Sequence, residues 1–331
     1  MTKAVALMST GLDSLLSAKI VRDQGVEVHG LHCTFEFGFV PGPSRKDVLK
    51  SLIDPMGIPL HVLDITEPYM EVLRRPAHGF GSAVNPCIDC HLFMLRRAKE
   101  LMSLIGADFV VTGEVVGQRP MSQNRPMLFH IEKLADLRRL ILRPLSAKAL
   151  PVTIPEEKGW VDRETLYGIT GRGRKTQEAL ASQLGIDQYF QPAGGCILTD
   201  PFYAKRIKAF IRFRGQEALT SEVMNLCRHG RHFWLDGGRW VIVGREEKDN
   251  EAIQRLAVGK WIFEAVDYEG PTVVADGLSS DEEAGRVASM LVRYVNKRKE
   301  DEIRVRYRRN GEERTLLARS AEASLMDAWK V

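Results

Sequence analysis

An apolar run at residues 3–8 (KAVALM) leads straight into Ser9-Thr10-Gly11-Leu12-Asp13-Ser14, and a helical pattern follows to about residue 24. Strand, tight loop and helix in that order form the repeating unit of an α/β sheet. The alternation continues. Strand-like runs at 26–34, 59–64, 108–112 and 137–142 are interleaved with helical patterns at 47–56 and 90–104. In the last of these, Leu92, Leu95, Leu101 and Leu104 recur at helix spacing. The expectation is a parallel sheet with helices on both faces.

The loop at 9–14 is a candidate anion site. A strand-to-helix turn points backbone N–H groups and a helix N-terminus at one spot. Gly11 permits close backbone approach or a positive φ. Ser9 and Ser14 offer hydroxyls, and Asp13 suits either Mg²⁺ or orientation of the loop. The competing reading is an ordinary turn with serine as a helix cap.

Beyond Pro144 the texture changes, with Pro151, Pro155 and Gly159 breaking the pattern. Short helices are expected at 163–169 and 176–184, a glycine-rich loop at 191–199 (QPAGGCILT), and a helix at 200–216. Further on, Asp236-Gly237-Gly238 and Asn310-Gly311 each separate two strand-like runs, which signals hairpins. Strands at 261–266 and 272–275 and a helix at 282–296 complete an α+β texture. Three segments result: 1–150, nucleotide-binding; 151–220, a cysteine-bearing extension of the catalytic domain; and 221–331, a smaller α+β domain.

A length of 331 residues has room for two domains, and the net charge of +4 allows an RNA partner without arguing for one. No apolar run approaches the roughly 20 residues of a membrane span. Residues 1–8 read as a first strand and not as a signal peptide. A cytoplasmic protein without membrane association is expected; assembly of identical chains is allowed but not specified.

Five cysteines are an odd number, which argues against a disulfide framework. Cys33, in an apolar strand, and Cys227 read as buried packing residues. Cys87 and Cys90 form a C-x-x-C just before a helix, and Cys196 follows much later in Gly194-Gly195-Cys196. A C-x-x-C at a helix start suits a redox pair, half a zinc site or part of an iron–sulfur site. A four-cysteine zinc site would want a second close pair, which the sequence lacks. Three thiolates from two loops suit a 4Fe–4S cluster with one iron left open.

Several of these runs resemble known families. STGLDS is similar to the SGGxDS loop of PP-loop ATP pyrophosphatases, with Thr10 where that family has a second glycine. NPCIDC at 85–90 resembles the NPC-x-x-C segment of tRNA 2-thiouridylases. Thr112-Gly113-Glu114 with Gly117-Gln118 and Ser122-Gln123-Asn124 looks like the corresponding stretch of tRNA 4-thiouridine synthetases, and PAGGCILTDP resembles a run in thiouridylase-like proteins. The resemblance implies an adenine nucleotide alpha hydrolase-like fold that splits ATP into AMP and pyrophosphate. It places Ser9, Thr10, Gly11, Asp13, Ser14 and Gly113 at the nucleotide, and Asp13, Cys87 and Cys196 at the chemistry. It implies Mg²⁺, a 4Fe–4S cluster on Cys87, Cys90 and Cys196, and a separate sulfur donor. The implied activity is ATP-dependent sulfur transfer to RNA, with tRNA the expected substrate. Thiolation or amidation of a small molecule and a non-catalytic RNA adaptor are the alternatives.

Three basic segments bear on RNA. Gly171-Arg172-Gly173-Arg174-Lys175 reads as either a phosphate-contacting or a solvated loop. Arg138, Arg139 and Arg143 interleave with apolar residues and are candidates to face a nucleotide or RNA. Arg304, Arg306 and Arg308 alternate along a strand and so share one face. The segment from Asp236-Gly237 to Asn250, with WIFEAVDYEGPTVVA at 261–275, resembles the RNA-binding domain of NFACT proteins, though without the histidine usual there.

Overall fold

Two separate patterns of strand pairing divide the computed structural model, which describes residues 1–37, 45–189, 196–297 and 299–331. One unit spans Met1–Leu198 and the other Thr199–Val331.

In the first unit, β1 (Lys3–Leu7), β2 (Glu27–Thr34), β3 (Leu60–Asp64), β4 (Phe109–Val111) and β5 (Ile141–Leu142) form a parallel sheet in the order β3-β2-β1-β4-β5. Its helices are α1 (Leu12–Arg22), α2 (Arg45–Ile53), α3 (Thr66–Arg74), α4 (Cys87–Ile105), α5 (Arg125–Leu134), the one-turn α6 (Ile154–Glu157) and α7 (Lys175–Gln183). Central β1 is apolar on both faces, with Ala4, Val5 and Ala6 buried, because a parallel sheet is covered on both sides. Leu12, Leu15, Leu16 and Val21 of α1 enter the same core. Asp13 in the first turn of α1 and Lys19 and Arg22 in the last complement the helix dipole. Strand order reverses between β1 and β4, so the crevice at their carboxyl ends is where an α/β sheet binds ligands. The loops that follow β1 and β4 carry STGLDS and TGE.

Three details differ from the sequence expectation. The buried stripe of α4 runs through Leu92, Leu95, Ala98 and Leu101, and Leu104 is 82% exposed in the final turn. Strand β5 is confined to Ile141–Leu142 because Asp136 and Arg139 take left-handed φ of 52° and 61°, turning the chain through 137–140. The helix expected at 163–169 is a single 3₁₀ turn, Arg163–Thr165. Helices α3 and α5 were not expected. Residues 191–195 of the glycine-rich run lie outside the described residues, which resume at Cys196.

The second unit contains α8 (Pro201–Arg214), α9 (Ser221–Leu226), β6 (Arg231–Leu235), β7 (Arg239–Val243), α10 (Glu247–Leu256), β8 (Trp261–Ala265), β9 (Val273–Asp276), α11 (Asp281–Arg293), β10 (Glu302–Arg309), β11 (Glu312–Arg319) and α12 (Ala323–Trp329). The strands form an antiparallel sheet, β11-β10-β8-β9-β7-β6, against which α11 packs Val287, Ala288 and Leu291. Both glycine-marked hairpins form. Gly237 and Gly238 take φ of 71° and 75°, and Asn310 and Gly311 take 49° and 85°, the left-handed geometry that tight hairpin turns demand. No helix among the described residues is long and apolar enough to cross a membrane.

Candidate active site

The loop after β1 is knitted by its own hydroxyls. Ser14 Oγ lies 3.0 Å from Ser9 Oγ and 2.9 Å from the Gly11 carbonyl, and accepts from the Ser9 N–H at 3.1 Å. Gly11 N–H donates to Ser9 Oγ at 3.1 Å. Gly11 is extended, with φ −82°. It is therefore needed for close approach and not for a positive φ: a Cβ there would sit 3.2 Å from Ser9 Oγ. Thr10 is buried.

Gly113, just past β4, packs directly on this loop. A Cβ at Gly113 would lie 2.6 Å from the Asp13 carbonyl carbon and 2.6 Å from the Ser14 nitrogen. Only glycine lets the two crevice loops touch. Glu114 follows, and is buried. Its Oε2 accepts from Arg143 Nε at 2.9 Å and from Thr112 Oγ1 at 3.1 Å, while its Oε1 meets His91 Nδ1 at 2.8 Å. Arg143 also pairs with buried Glu132. Burial opposes ionisation of Glu114, but Arg143 and His91 outweigh it and hold its pKa at about 2. Of the arginines of the sequence reading, Arg143 is thereby corrected. Arg143 is an interior counter-ion, and Arg139 pairs with Glu157 from a left-handed turn.

His91 belongs to the first turns of α4, the helix that opens with Cys87 and Cys90. The link from cysteines to phosphate loop thus runs from α4 through His91 and Glu114 to Gly113. Cys87 Sγ accepts from Asn85 Nδ2 at 3.0 Å. Burial pushes the Cys90 thiol up to about 12, and both Cys196 and Cys87 add to the rise. The Tyr69 hydroxyl, raised above its usual range by burial and then by Cys90, also feels Cys196 and Cys87. The three thiols therefore share one neighbourhood. Among the described residues, however, no three His, Cys, Asp or Glu side chains are placed to hold one metal ion. Cys33 and Cys227 are buried, and burial pushes both thiols up to about 12, as packing residues require.

Asp13 is ringed by polar groups. Gln118 Nε2 donates to its Oδ2 at 3.0 Å, and Arg174 Nη1 stands 3.8 Å from the same oxygen. Burial raises its pKa against the lowering pull of Gln118, Arg174, Arg119 and Gln177. Asp13 Oδ1 is buried and finds no hydrogen-bond partner among the described residues, an orphaned acceptor that suits a cation such as Mg²⁺. Arg174 comes from the basic loop at 171–175, which is thus turned toward the phosphate loop. The basic run at 171–175 gave no hint of that destination.

In the second unit, Arg304, Arg306 and Arg308 do share a face of β10. Each has an acidic neighbour: Asp267 at 3.6 Å from Arg304, and Glu264 at 3.4 and 3.6 Å from Arg306 and Arg308. The stripe is partly neutralised.

Residues 1–149 match the family described as thiamine biosynthesis protein (ThiI), and residues 230–330 match the NFACT protein RNA binding domain. A tRNA-specific 2-thiouridylase MnmA from Nitratidesulfovibrio vulgaris (strain DP4) is 35% identical over 119 residues, 34% of this chain and 33% of that protein. The MnmA of Listeria monocytogenes serotype 4b (strain CLIP80459) is 21% identical over 271 residues, 75% of this chain and 70% of that protein. A crystal structure of a 4-thiouridine synthetase–RNA complex with bound ATP overlaps 60% of this chain and 45% of its own, at 21% identity and a TM-score of 0.41. The chain spans about a third of the length of the thiouridylases from N. vulgaris and Sulfurimonas denitrificans that it matches. Residues 1–149 are thus similar to the PP-loop domain of tRNA-thiolating proteins, and residues 230–330 to an NFACT-type RNA-binding domain.

Proposed function

We propose that the protein is an ATP-dependent tRNA sulfurtransferase. The observation that carries this is the His91–Glu114–Gly113 connection, which ties the cysteine-bearing end of α4 to the phosphate loop. A pyrimidine carbonyl oxygen is a poor leaving group. Its attack on the α-phosphorus of ATP expels pyrophosphate and leaves an adenylated base. A terminal persulfide sulfur on Cys87 or Cys196 then attacks that carbon, and AMP departs with the former carbonyl oxygen. The other thiol cleaves the S–S bond, forming a Cys87–Cys196 disulfide that an external thiol must reduce. Cys90, whose thiol is pushed up to about 12, supports the pair and remains a thiol. Asp13 would hold Mg²⁺, which would offset phosphate charge, and the loop N–H groups not already bonded within residues 9–14 donate to the phosphate oxygens.

Anaerobic incubation with ATP, bulk tRNA, a persulfide donor that passes its outer sulfur to the cysteine thiol, and a thiol reductant should give AMP, pyrophosphate and thiolated pyrimidines on nucleoside mass spectrometry. ATP splitting that ignores tRNA and leaves its nucleosides unchanged would sink this reading. In the same assay Cys87→Ala and Cys196→Ala should each lose product entirely, while Cys90→Ala retains it. Loss in all three variants together with loss of bound iron would replace the persulfide with the 4Fe–4S cluster on Cys87, Cys90 and Cys196.

The NFACT-type domain is proposed to hold the tRNA. Deleting residues 230–330 should weaken tRNA binding at least about tenfold, with a shallower salt dependence, and leave ATP binding unchanged. Because acidic neighbours already engage Arg304, Arg306 and Arg308, converting all three to Gln should weaken binding less than the deletion does. Filter binding at several salt concentrations measures both, and an unaltered affinity on deletion would make the first unit the tRNA reader.

A further inference from the structure

The first turn of α7 meets the first turn of α1. The two crevice loops that bring it there are locked together: Val116 bridges Thr170, and Gly171 N–H donates to the Val116 carbonyl at 2.7 Å. This sets Gln118 and Arg174 on the Asp13 carboxylate from two directions. Gln177, on the same turn of α7, is fully buried; its amide reaches toward Asp13 closely enough to lower that carboxyl, but neither its oxygen nor its nitrogen makes a hydrogen bond of normal geometry among the described residues. Arg174 Nη1 is likewise buried and unbonded, 3.8 Å from Asp13 being too long for a hydrogen bond. A buried amide and a guanidinium N–H without hydrogen bonds are costly to fold, and such groups in a native protein call for a partner such as a ligand, an ion or a water.

We infer that Arg174 and Gln177, from a helix beyond the phosphate loop itself, complete the seat of the pyrophosphate half of ATP. This rests on the ATP-splitting reading of the crevice. When the bond from the α-phosphorus to its bridging oxygen breaks, the electron pair goes to pyrophosphate. Arg174, beside Asp13, is the cation that meets this added charge, and the Gln177 amide donates to a non-bridging phosphate oxygen. Arg119, which also acts on Asp13, adds positive potential to the same pocket.

Isothermal titration calorimetry on the full chain, with Mg²⁺ and pyrophosphate, ATP or AMP as separate titrants, tests the inference. Arg174→Ala should weaken pyrophosphate and ATP by about 10- to 100-fold while leaving AMP unchanged. Gln177→Leu, which removes the orphaned amide at similar volume, should keep or raise the melting temperature of the ligand-free protein and still weaken pyrophosphate. A merely structural glutamine would instead lower the melting temperature and leave the AMP-to-pyrophosphate ratio of affinities intact. Wild-type protein that binds neither ATP nor pyrophosphate would overturn the ATP reading itself. Wild-type binding of both, matched by both variants, would overturn the assignment of Arg174 and Gln177 alone.

Discussion

Gly113→Ala is expected to cut ATP turnover by about 100-fold or more, although the change is one methyl group placed outside the phosphate loop. That methyl would sit 2.6 Å from the Asp13 carbonyl carbon and from the Ser14 nitrogen, both backbone atoms of a helix start. Neither can swing away as a side-chain end would. Either the loop after β4 or the phosphate loop must shift by several tenths of an ångström, and a misplacement of about 1 Å is enough to cost two orders of magnitude in rate. Overpacking should also lower stability by about 1–3 kcal/mol. Gly173→Ala is the control, since a Cβ there meets nothing within 4 Å. Turnover measured as AMP release, with thermal melts to confirm folding, decides the matter. Near-wild-type turnover in folded Gly113→Ala would mean that the loops after β1 and β4 do not share a substrate.

The sheet was legible because its signals are local. KAVALM, followed by a glycine-bearing turn and a 3.6-residue apolar period, leaves little choice for β1 and α1, and the paired glycines at 237–238 and Asn310-Gly311 name their own turns. Strand β5 was over-read for a complementary reason. Leu137-Arg138-Arg139-Leu140 alternates like a strand, but Asp136 and Arg139 adopt left-handed φ without a glycine to announce it. Helix α5 had a usable signal that the motif-centred reading passed over. Asn124 caps it by accepting from the Met127 N–H at 3.0 Å, and Pro126 stands in its first turn. Helix α10 is mostly polar, with Asp249, Ala252 and Ile253 its buried positions, so no apolar run marks it in the sequence.

The site divides in the same way. Each contiguous motif announced itself, since a phosphate loop and a C-x-x-C are written in consecutive residues. Their cross-connections were not. His91 stands beside Cys90 in the sequence, yet its partner Glu114 lies in a different motif, and nothing in either run says that the two meet. Arg174 was weighed as an RNA contact because basic loops are generic; its place beside Asp13 depends on the Val116–Thr170 bridge, a long-range event. Arg143, a candidate to face a nucleotide or RNA, is instead interior because two buried carboxylates, Glu114 and Glu132, pair with it.

That arginine carries the second large effect. Arg143→Met should destabilise the first unit by about 3–5 kcal/mol, because it strands Glu114 and Glu132 as buried carboxylates without their cation. For a unit of this size the loss corresponds to a fall of about 10 °C in melting temperature. Glu114→Gln should cost less, since Glu132 still pairs with Arg143. The triple change Arg143→Met, Glu114→Gln, Glu132→Gln should recover part of the loss, as removing a whole buried ion group costs less than breaking it. The pH dependence has a fixed sign. Glu114 has a folded pKa of about 2 against an ordinary 4.5, so it binds fewer protons folded than unfolded in the range between. Its stabilising contribution is complete above about pH 4.5 and is lost as the pH falls toward 2. Wild-type protein should therefore lose stability steeply over that interval, and the Glu114→Gln variant less steeply. Urea titrations of both proteins between pH 2.5 and 7 measure the difference; parallel curves would show that the Glu114 carboxylate is not held ionised by Arg143 and His91.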